Sequence, residues 1–184
     1  MNSLSGHLLV SIPDLVDPNF HRSVVLILAH QASGASGVIL NRPSNVTVAD
    51  AWAEFSDIDV DCDQPVYVGG PVEGPLVALH TSLAWAETDV LPGVFVTTDR
   101  GHLNQLIQQT KHPFRIFSGY AGWAGGQLER EIADGGWLTH PAEFEHIFES
   151  TEDELWKTLL EEMGNQIIMP HFLKHRKPVD PNLN

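Results

Sequence analysis

The segment Ser23-Val-Val-Leu-Ile-Leu-Ala29 decides how this chain folds. It is rich in β-branched residues and does not alternate with polar ones, which is typical of a strand buried on both faces. After residues 31–37, which include Ser33-Gly34 and Ser36-Gly37, the apolar pattern resumes at Val38-Ile39-Leu40. We therefore predict a β-hairpin whose loop is longer than two residues.

Elsewhere the chain predicts strands in its first half and more helices towards its end. Further strands are predicted at residues 6–12, 66–69, 76–79, 94–97 and 114–118, and helices at residues 47–55, after Asp99, at 127–132 and after the cap at 150–153, the last ending at Gly164. No regular alternation of strand and helix is seen. The pattern favours an α+β fold: a single domain with a mixed, largely antiparallel sheet flanked by helices.

Length and composition restrict the class of protein. The chain has 184 residues, enough for one compact domain, and one cysteine, Cys62, which excludes an internal disulfide framework. The longest wholly apolar run, Val24 to Ala29, is far shorter than the roughly 18 residues of a membrane span. The N-terminus lacks the pattern of a secretory signal. We expect a soluble, cytoplasmic protein that does not interact with membranes.

The charge disfavours direct binding to nucleic acids. The chain carries 10 Lys and Arg against 24 Asp and Glu, a formal net charge of −14. The first 99 residues contain twelve acids and two bases, Arg22 and Arg42. Only the tail reverses the sign, with Lys174, Arg176 and Lys177. Because nucleic-acid binding needs a basic face, a protein or a small anionic ligand is the more plausible partner.

The two early arginines flank the predicted hairpin. Arg22 precedes its first strand and Arg42 follows its second, so an antiparallel pairing brings them to the same end. Their charges need an anion nearby. The sequence leaves two alternatives: pairing with the protein's own acids, such as Asp14 and Asp17, which we favour, or a phosphate or carboxylate of a ligand.

The segment Gly119-Tyr-Ala-Gly-Trp-Ala-Gly-Gly126 is predicted to be a turn between a strand and a helix. Its spacing matches neither glycine-rich nucleotide fingerprint. Tyr120 and Trp123 are candidates for a stacking surface, although aromatic residues beside glycines more often pack as core.

No motif identifies a nucleophile. Cys62 lies between Asp61 and Asp63, whose charges disfavour a thiolate, and no Gly-x-Ser-x-Gly elbow is present. We therefore assign no catalytic residue and favour a protein that is not an enzyme.

The ten histidines raise the question of a metal site. His171 and His175 have helical spacing, and His146 is a third candidate, but no zinc motif joins them. We expect no native metal and no cofactor. His30 and His80 each end a predicted strand, where an imidazole often anchors a loop.

Several segments together resemble the AlgH/YqgE family over the chain to about Pro170. The matching segments are Phe20-His-Arg22-Ser-Val-Val, His30, Gly37-Val-Ile-Leu-Asn41-Arg42-Pro43, Val68-Gly-Gly-Pro-Val72, Leu79-His80, Gly119-Tyr-Ala-Gly-Trp123, Gly126-Gln-Leu-Glu129 and Trp137-Leu138. The resemblance implies a bacterial cytoplasmic α+β domain over residues 1–170, followed by a basic tail at 171–184. It also implies a family label of transcriptional regulator, which comes from a link to alginate production, without established catalytic residues or cofactor.

One departure from the family pattern bears on function. Many members have Cys-Glu-His at the end of the second strand, where this chain has Leu28-Ala29-His30. A function that needs that thiol cannot operate here.

Two hypotheses about function remain. The first is an AlgH-type regulator that acts indirectly, through a protein or small-ligand partner. The second is an enzyme or sensor for a small anionic metabolite at an Arg22/Arg42 site. The candidate ligand-binding residues are Arg22, His30, Asn41, Arg42, Tyr120 and Trp123.

Overall fold

The computed structural model describes residues 3–55 and 60–175, with the backbone alone for Phe55 and residues 165–175. Its strands are β1 (His7–Ser11), β2 (Val24–Gln31), β3 (Gly34–Ile39), β4 (Pro43–Thr47), β5 (Pro65–Val68), β6 (Val77–His80), β7 (Thr88–Leu91), β8 (Val94–Thr97), β9 (Phe114–Ser118), β10 (Ala121–Ala124) and β11 (Trp137–Pro141). Its α-helices are α1 (Val48–Phe55), α2 (Arg100–Ile107), α3 (Gln127–Ala133), α4 (Phe144–Phe148) and α5 (Glu152–His175). A short 3-10 helix covers Leu83–Trp85.

The strands form two sheets. Sheet A has the order β10-β3-β2-β1-β11, and all its pairings are antiparallel. Sheet B has the order β4-β5-β9-β6-β8-β7, in which β5 and β9 are parallel and the other pairings antiparallel. The predicted α+β class with a mixed, largely antiparallel arrangement is confirmed, although the sequence did not indicate that the strands divide between two sheets.

The two sheets pack face to face, and helices cover their outer faces. Side chains from both sheets share one core cluster, in which Val24 and Leu26 of β2 face Phe117 of β9. The alternate residues of β2 face outward instead, into a second cluster with Leu128 of α3. A third cluster joins the outer face of sheet B to α1 and α2. The prediction that β2 is buried on both faces is confirmed.

Local capping signals in the sequence correspond to real helix ends. The side chain of Asp99 accepts a hydrogen bond from the backbone N–H of His102 at 2.9 Å, at the start of α2. At the start of α1 the backbone N–H of Asp50 donates to Thr47 Oγ1 at 3.0 Å, and the Asp50 carboxylate accepts from Thr47 in return.

The hairpin loop is shorter than predicted. Gln31 pairs with Gly34, so only Ala32 and Ser33 form the turn, and the prediction of a longer loop is wrong. The glycines that suggested a loop belong to β3. A Cβ at Gly37 would lie 2.4 Å from the carbonyl oxygen of Leu26, so this glycine permits close packing of β3 against β2.

Two further predictions need correction. Residues 119–126 are not a simple turn, because Ala121–Ala124 form β10 and pair with β3. Helix α5 does not end at Gly164 but continues to His175. One glycine costs only about 1 kcal/mol in a helix interior, and the buried residues Leu159 and Met163 anchor the preceding turns.

The predicted boundary at residue 170 falls inside α5, and residues 176–184 lie outside the described residues. Within the described part of the chain, no helix has the length and apolar character needed to cross a membrane.

Candidate functional site

The side chain of Asn41 fixes one end of the β2–β3 hairpin. Its Oδ1 accepts a hydrogen bond from the backbone N–H of Val24 at 2.9 Å, and its Nδ2 donates to the carbonyl oxygen of Arg22 at 2.9 Å. The backbone N–H of Leu40 also donates to the carbonyl of Val24 at 2.8 Å. Residues 22 and 42 therefore flank the same end of the hairpin, as the strand pairing predicted. We call Arg22, Asn41 and Arg42 the arginine end.

Arg22 has an unusual backbone conformation. Its φ is +52°, in the left-handed region that costs a non-glycine residue roughly 1–2 kcal/mol. Its exposed guanidinium lies 5.5 Å from the ring centroid of Trp156 in α5, a cation–π arrangement. That ring is itself fixed, because Trp156 Nε1 donates to the carbonyl oxygen of Ser11 at 2.8 Å. The guanidinium thus rests on an anchored aromatic surface.

Arg42 is held by backbone groups. Its Nη1 donates to the carbonyl oxygen of Asn19 at 2.6 Å, and its own carbonyl accepts from the backbone N–H of Val68 at 2.8 Å. The nearby carboxylate of Asp17 accepts from the backbone N–H of Asn19 at 2.8 Å, so it closes a turn.

Among the side chains that the structure describes, the favoured alternative, in which internal acids pair with the arginines, is not found. Neither Arg22 nor Arg42 lies in an ion pair with a described carboxylate. Both guanidiniums contact uncharged groups, a ring and a backbone carbonyl. These uncharged contacts leave room for the other alternative, in which a ligand supplies the negative charge.

Arg115 of β9 is a third arginine next to this end, and sequence analysis missed it. Its Nη1 donates to the carbonyl oxygen of Leu40 at 3.3 Å and its Nη2 to that of Ser150 at 3.2 Å. Glu152 lies 3.8 Å from Nη2, so this buried charge has a partner. A lone arginine in the apolar strand Phe114–Ser118 is the signal that could have found it.

Tyr67 completes the contacts of Arg115. Its ring lies 4.8 Å from the guanidinium carbon, and its hydroxyl donates to Glu152. Burial, and then the hydrogen bond to Glu152, raises the pKa of Tyr67 to about 12. The phenol is therefore neutral at physiological pH. This trio joins the start of α5, and hence Trp156, to the end of the hairpin.

His30 does not belong to the same site as the arginines. It lies at the opposite end of β2 from Arg22, about 25 Å away at roughly 3.3 Å per residue. Its Nδ1 accepts from the backbone N–H of Leu4 at 3.0 Å, and its Nε2 lies 3.0 Å from Glu129 Oε1. Since Nδ1 accepts, the proton is on Nε2 and is donated to the carboxylate. His30 therefore anchors the N-terminal segment, and its grouping with the arginines was wrong.

Trp123 packs in the interior. It is 6% exposed, and its Nε1 donates to Glu131 Oε2 at 2.9 Å, an oxygen that also accepts from Trp137 Nε1 at 3.0 Å. Phe20 stacks on the Trp123 ring at 6.0 Å between centroids. This tryptophan supports the loop that leads to Arg22 and does not form an exposed stacking surface.

Tyr120 lies half-buried between sheets A and B. Its backbone forms a two-way bridge with Val72, with both hydrogen bonds at 3.0 Å. The ring packs over two glycines, since a Cβ at Gly74 would lie 3.0 Å and one at Gly122 3.3 Å from ring atoms. These contacts join Tyr120 to residues 72, 74 and 122, which do not belong to the arginine end.

The other candidate groups are committed elsewhere or lie outside the described residues. His146 Nδ1 accepts from the backbone N–H of Glu143 at 3.0 Å as part of a helix cap. The side chains of His171 and His175 lie outside the described residues. Within the described part of the chain, no group of three or more His, Cys, Asp or Glu side chains has the geometry to hold a metal ion. Cys62 is half-buried.

Comparison with known proteins places the chain in a family. A family model described as AlgH-like matches residues 8–168. A UPF0301 protein of Chlorobaculum tepidum is 36% identical over 167 residues, covering 88% of this chain and 87% of that protein. A UPF0301 protein of Myxococcus xanthus is 38% identical over 169 residues, covering 89% of this chain and 93% of that protein.

Solved structures show the same relationship. The solution structure of the AlgH protein from Pseudomonas aeruginosa matches with a TM-score of 0.75 and 28% identity, covering 97% of each chain. The crystal structure of a protein from Corynebacterium diphtheriae matches with a TM-score of 0.72 and 25% identity, covering 88% of this chain and 87% of that one. The chain therefore belongs to the AlgH-like family.

Proposed function

We propose that this protein is a non-catalytic sensor that binds a small phosphate- or carboxylate-bearing ligand at the arginine end. One observation carries the proposal: Arg22 and Arg42 flank one hairpin end, and neither pairs with an acid among the described residues. A bound anion would offset the repulsion between the two positive charges held at this end of the hairpin.

The strained backbone of Arg22 supports the proposal. A left-handed conformation at a non-glycine residue persists only where the surroundings impose it, and such strain is concentrated at functional positions. Here Asn41 imposes it through the carbonyl of Arg22, and Trp156 orients the guanidinium. Preorganised cations bind an anion at a smaller entropic cost.

Binding is favoured over catalysis at this end. His30, the candidate ligand-binding residue that the sequence grouped with the arginines, lies at the far end of β2 and uses both ring nitrogens in structural contacts. The groups that contact Arg22 and Arg42 directly are backbone carbonyls, an amide and an indole ring, which position ligands without transferring protons.

A role in transcription would be exerted through the bound ligand or a protein partner. The formal net charge of −14 opposes the approach of nucleic acid, and the proposal needs no contact with DNA. Fluorescence anisotropy with duplex DNA at decreasing salt tests this route. We expect no binding, and tight binding with a steep salt dependence would contradict it.

Thermal unfolding in the presence of anions tests the site itself. Inorganic phosphate, pyrophosphate and citrate are titrated at constant ionic strength. A ligand at 100 times its dissociation constant stabilises by about 2.7 kcal/mol, which raises the Tm of a domain of this size by roughly 5–10 °C. We expect Arg22→Gln and Arg42→Gln to abolish the shift.

Arg130→Gln is the matched control, because it removes the same charge from an exposed residue of α3. It should retain the full anion response. An equal response in the wild type and in the double variant R22Q/R42Q would overturn the proposal, as would the absence of any response to all three anions.

A further inference from the structure

The two arginines of the arginine end are supported by different elements. The backbone of Arg42 is held by β5, because its carbonyl accepts a hydrogen bond from the backbone N–H of Val68 at 2.8 Å. The side chain of Arg22 is supported by α5, because its guanidinium lies 5.5 Å from the ring centroid of Trp156. The relative placement of the two arginines therefore depends on how α5 is fixed to β5.

Tyr67 and Glu152 connect these two supports. Tyr67 directly precedes Val68 in β5, and Glu152 lies about one helical turn before Trp156 in α5. The hydroxyl of Tyr67 donates a hydrogen bond to the carboxylate of Glu152. This contact thus joins the strand that holds Arg42 to the helix turn that carries the Trp156 ring.

Arg115 of β9 ties the same helix to the hairpin itself. Its Nη1 donates to the carbonyl oxygen of Leu40 at 3.3 Å, and its Nη2 donates to that of Ser150 at 3.2 Å. Its Nη2 also lies 3.8 Å from the carboxylate of Glu152. Leu40 directly precedes Asn41, whose amide fixes this end of the hairpin. Arg115 therefore connects the end of β3 to the start of α5.

Tyr67 and Arg115 do not themselves offer groups to a ligand. Tyr67 is 4% exposed and Arg115 9% exposed, and both have a partner in Glu152. A buried cation that is already paired with a carboxylate is not available to a bound anion. Any influence of these residues on anion binding is therefore exerted through the placement of Arg22 and Arg42.

We propose that Tyr67, Arg115 and Glu152 are positioning residues that set the placement of the Arg22 guanidinium relative to Arg42. They thereby set the affinity of the arginine end for anions and its preference among them. The inference rests on the proposed function, because it assigns residues that control that same site. Charged groups lose affinity for a ligand when the residues that hold them in place are removed. Because Coulomb attraction depends on distance, the spacing of two cations also selects the size of the anion between them.

The variant Tyr67→Phe tests the connection between β5 and α5. It removes the hydroxyl that bonds Glu152, and it keeps the ring beside the Arg115 guanidinium and the net charge of the protein. Calorimetric titration with phosphate and pyrophosphate is carried out at a temperature at which every variant is folded. We expect both anions to bind about threefold to tenfold more weakly and the preference between them to fall. Arg115→Lys, which keeps the charge but not the planar fork, should have the same effect.

Tyr120→Phe is the matched control. It deletes the same atom from the other tyrosine of the chain, whose ring packs over Gly74 and Gly122. This variant should bind both anions as the wild type does. A Tyr67→Phe protein that is less stable but keeps the affinity and anion preference of the wild type would show a purely structural role. That result would overturn the inference.

Proton NMR of the ligand-free protein separates this inference from the proposed function. The ring of Trp156 shifts the resonances of the Arg22 side-chain protons that lie over it. Tyr67→Phe should reduce this ring-current shift, and Tyr120→Phe should leave it unchanged. An unchanged shift in Y67F would overturn the inference even if the protein binds phosphate. If the wild type binds neither anion while Y67F reduces the shift, the proposed function and the effect on affinity fail, and the support of Arg22 by these three residues stands.

Discussion

The two ends of the β2–β3 hairpin differ in how their polar groups are satisfied. At one end, His30 is almost fully buried, and its ring nitrogens contact the backbone of Leu4 and the carboxylate of Glu129. At the other, Arg22 and Arg42 contact a ring and a carbonyl oxygen, with no carboxylate partner among the described residues. At the end that holds His30, both ring nitrogens have partners inside the protein. At the arginine end, the positive charges remain available to a ligand.

This difference separates stability from binding. A buried group with all its partners inside the protein contributes to the folded state, so its removal should affect unfolding and leave ligand binding unchanged. An accessible cation over an anchored ring contributes little to folding, because exposed charges are well solvated. Variants at the two ends should therefore give opposite patterns of effect.

The largest expected effect on the free energy of unfolding comes from His80, a second histidine at a strand end, which is buried with one of its two ring nitrogens unpaired among the described residues. It is fully buried, its Nδ1 accepts from the backbone N–H of Ser82 at 3.2 Å, and its Nε2 has no hydrogen-bond partner among the described residues. Burial, reinforced by His102 and His112, lowers the pKa of His80 to about 4.

Acidification should therefore destabilise the protein through His80. The unfolded state, with a pKa near 6.5, binds the proton more readily, so stability is complete above pH 6.5 and is lost as the pH falls towards 4. The full loss is about 3 kcal/mol. Urea unfolding at pH 7.5 and pH 5 measures most of it. His80→Phe should reduce this difference, whatever its own cost, and an unchanged difference would contradict the assignment.

The next largest effect on the free energy of unfolding is expected at His30, at the other end of the hairpin. His30→Ala leaves the backbone N–H of Leu4 and the carboxylate of Glu129 without their partner, and it removes a buried ring. We expect a loss of about 2–3 kcal/mol in the free energy of unfolding. The stabilisation by phosphate should remain unchanged. A lost phosphate response in a folded His30→Ala protein would break the contrast between the two ends.

Asn41 should affect both properties, because it organises the arginine end. Asn41→Ala removes the hydrogen bonds to Val24 and Arg22, with an expected cost of about 1–2 kcal/mol. It should also weaken anion binding, since the two arginines lose their common support. Asn45→Ala, the same change at an exposed position of β4, should do neither. Unchanged anion affinity in Asn41→Ala would show that the amide has no positioning role.

Features with a local cause could be predicted from the sequence. The buried run of β2, the cap at Asp99 and the capping box at Thr47–Asp50 depend on residues within one or two turns of each other. The placement of residues 22 and 42 at the same end of the hairpin followed from antiparallel pairing alone.

Features that depend on distant parts of the chain could not be predicted. Strand β10 is short and contains alanine and glycine, so it is formed by pairing with β3 and not by its own propensity. The partner of His30 is Glu129, 99 residues away. The buried Arg115 becomes meaningful only when Glu152 and the end of β3 lie beside it. Neither ion pair leaves a periodic signal in the sequence.

The smallest effect on stability, and the sharpest test of the comparison, is expected for Arg22→Gly. Glycine accepts the φ of +52° without strain, a gain of roughly 1 kcal/mol, while the cation–π contact of about 0.5–1 kcal/mol with Trp156 is lost and the unfolded chain gains freedom. These terms nearly cancel. Arg22→Ala keeps the strain and loses the contact but avoids the extra freedom of glycine in the unfolded chain, so it should be about 0.5 kcal/mol less stable than Arg22→Gly.

Both variants should lose the phosphate-dependent rise in Tm, although one of them unfolds at the same urea concentration as the wild type. Loss of the phosphate response without loss of stability would show that the guanidinium of Arg22 binds a ligand. It would also show that the strained backbone of Arg22 serves to orient this guanidinium. If Arg22→Gly instead lost stability to the extent expected for His30→Ala, the side chain would be a structural support, and the two ends of the hairpin would be alike.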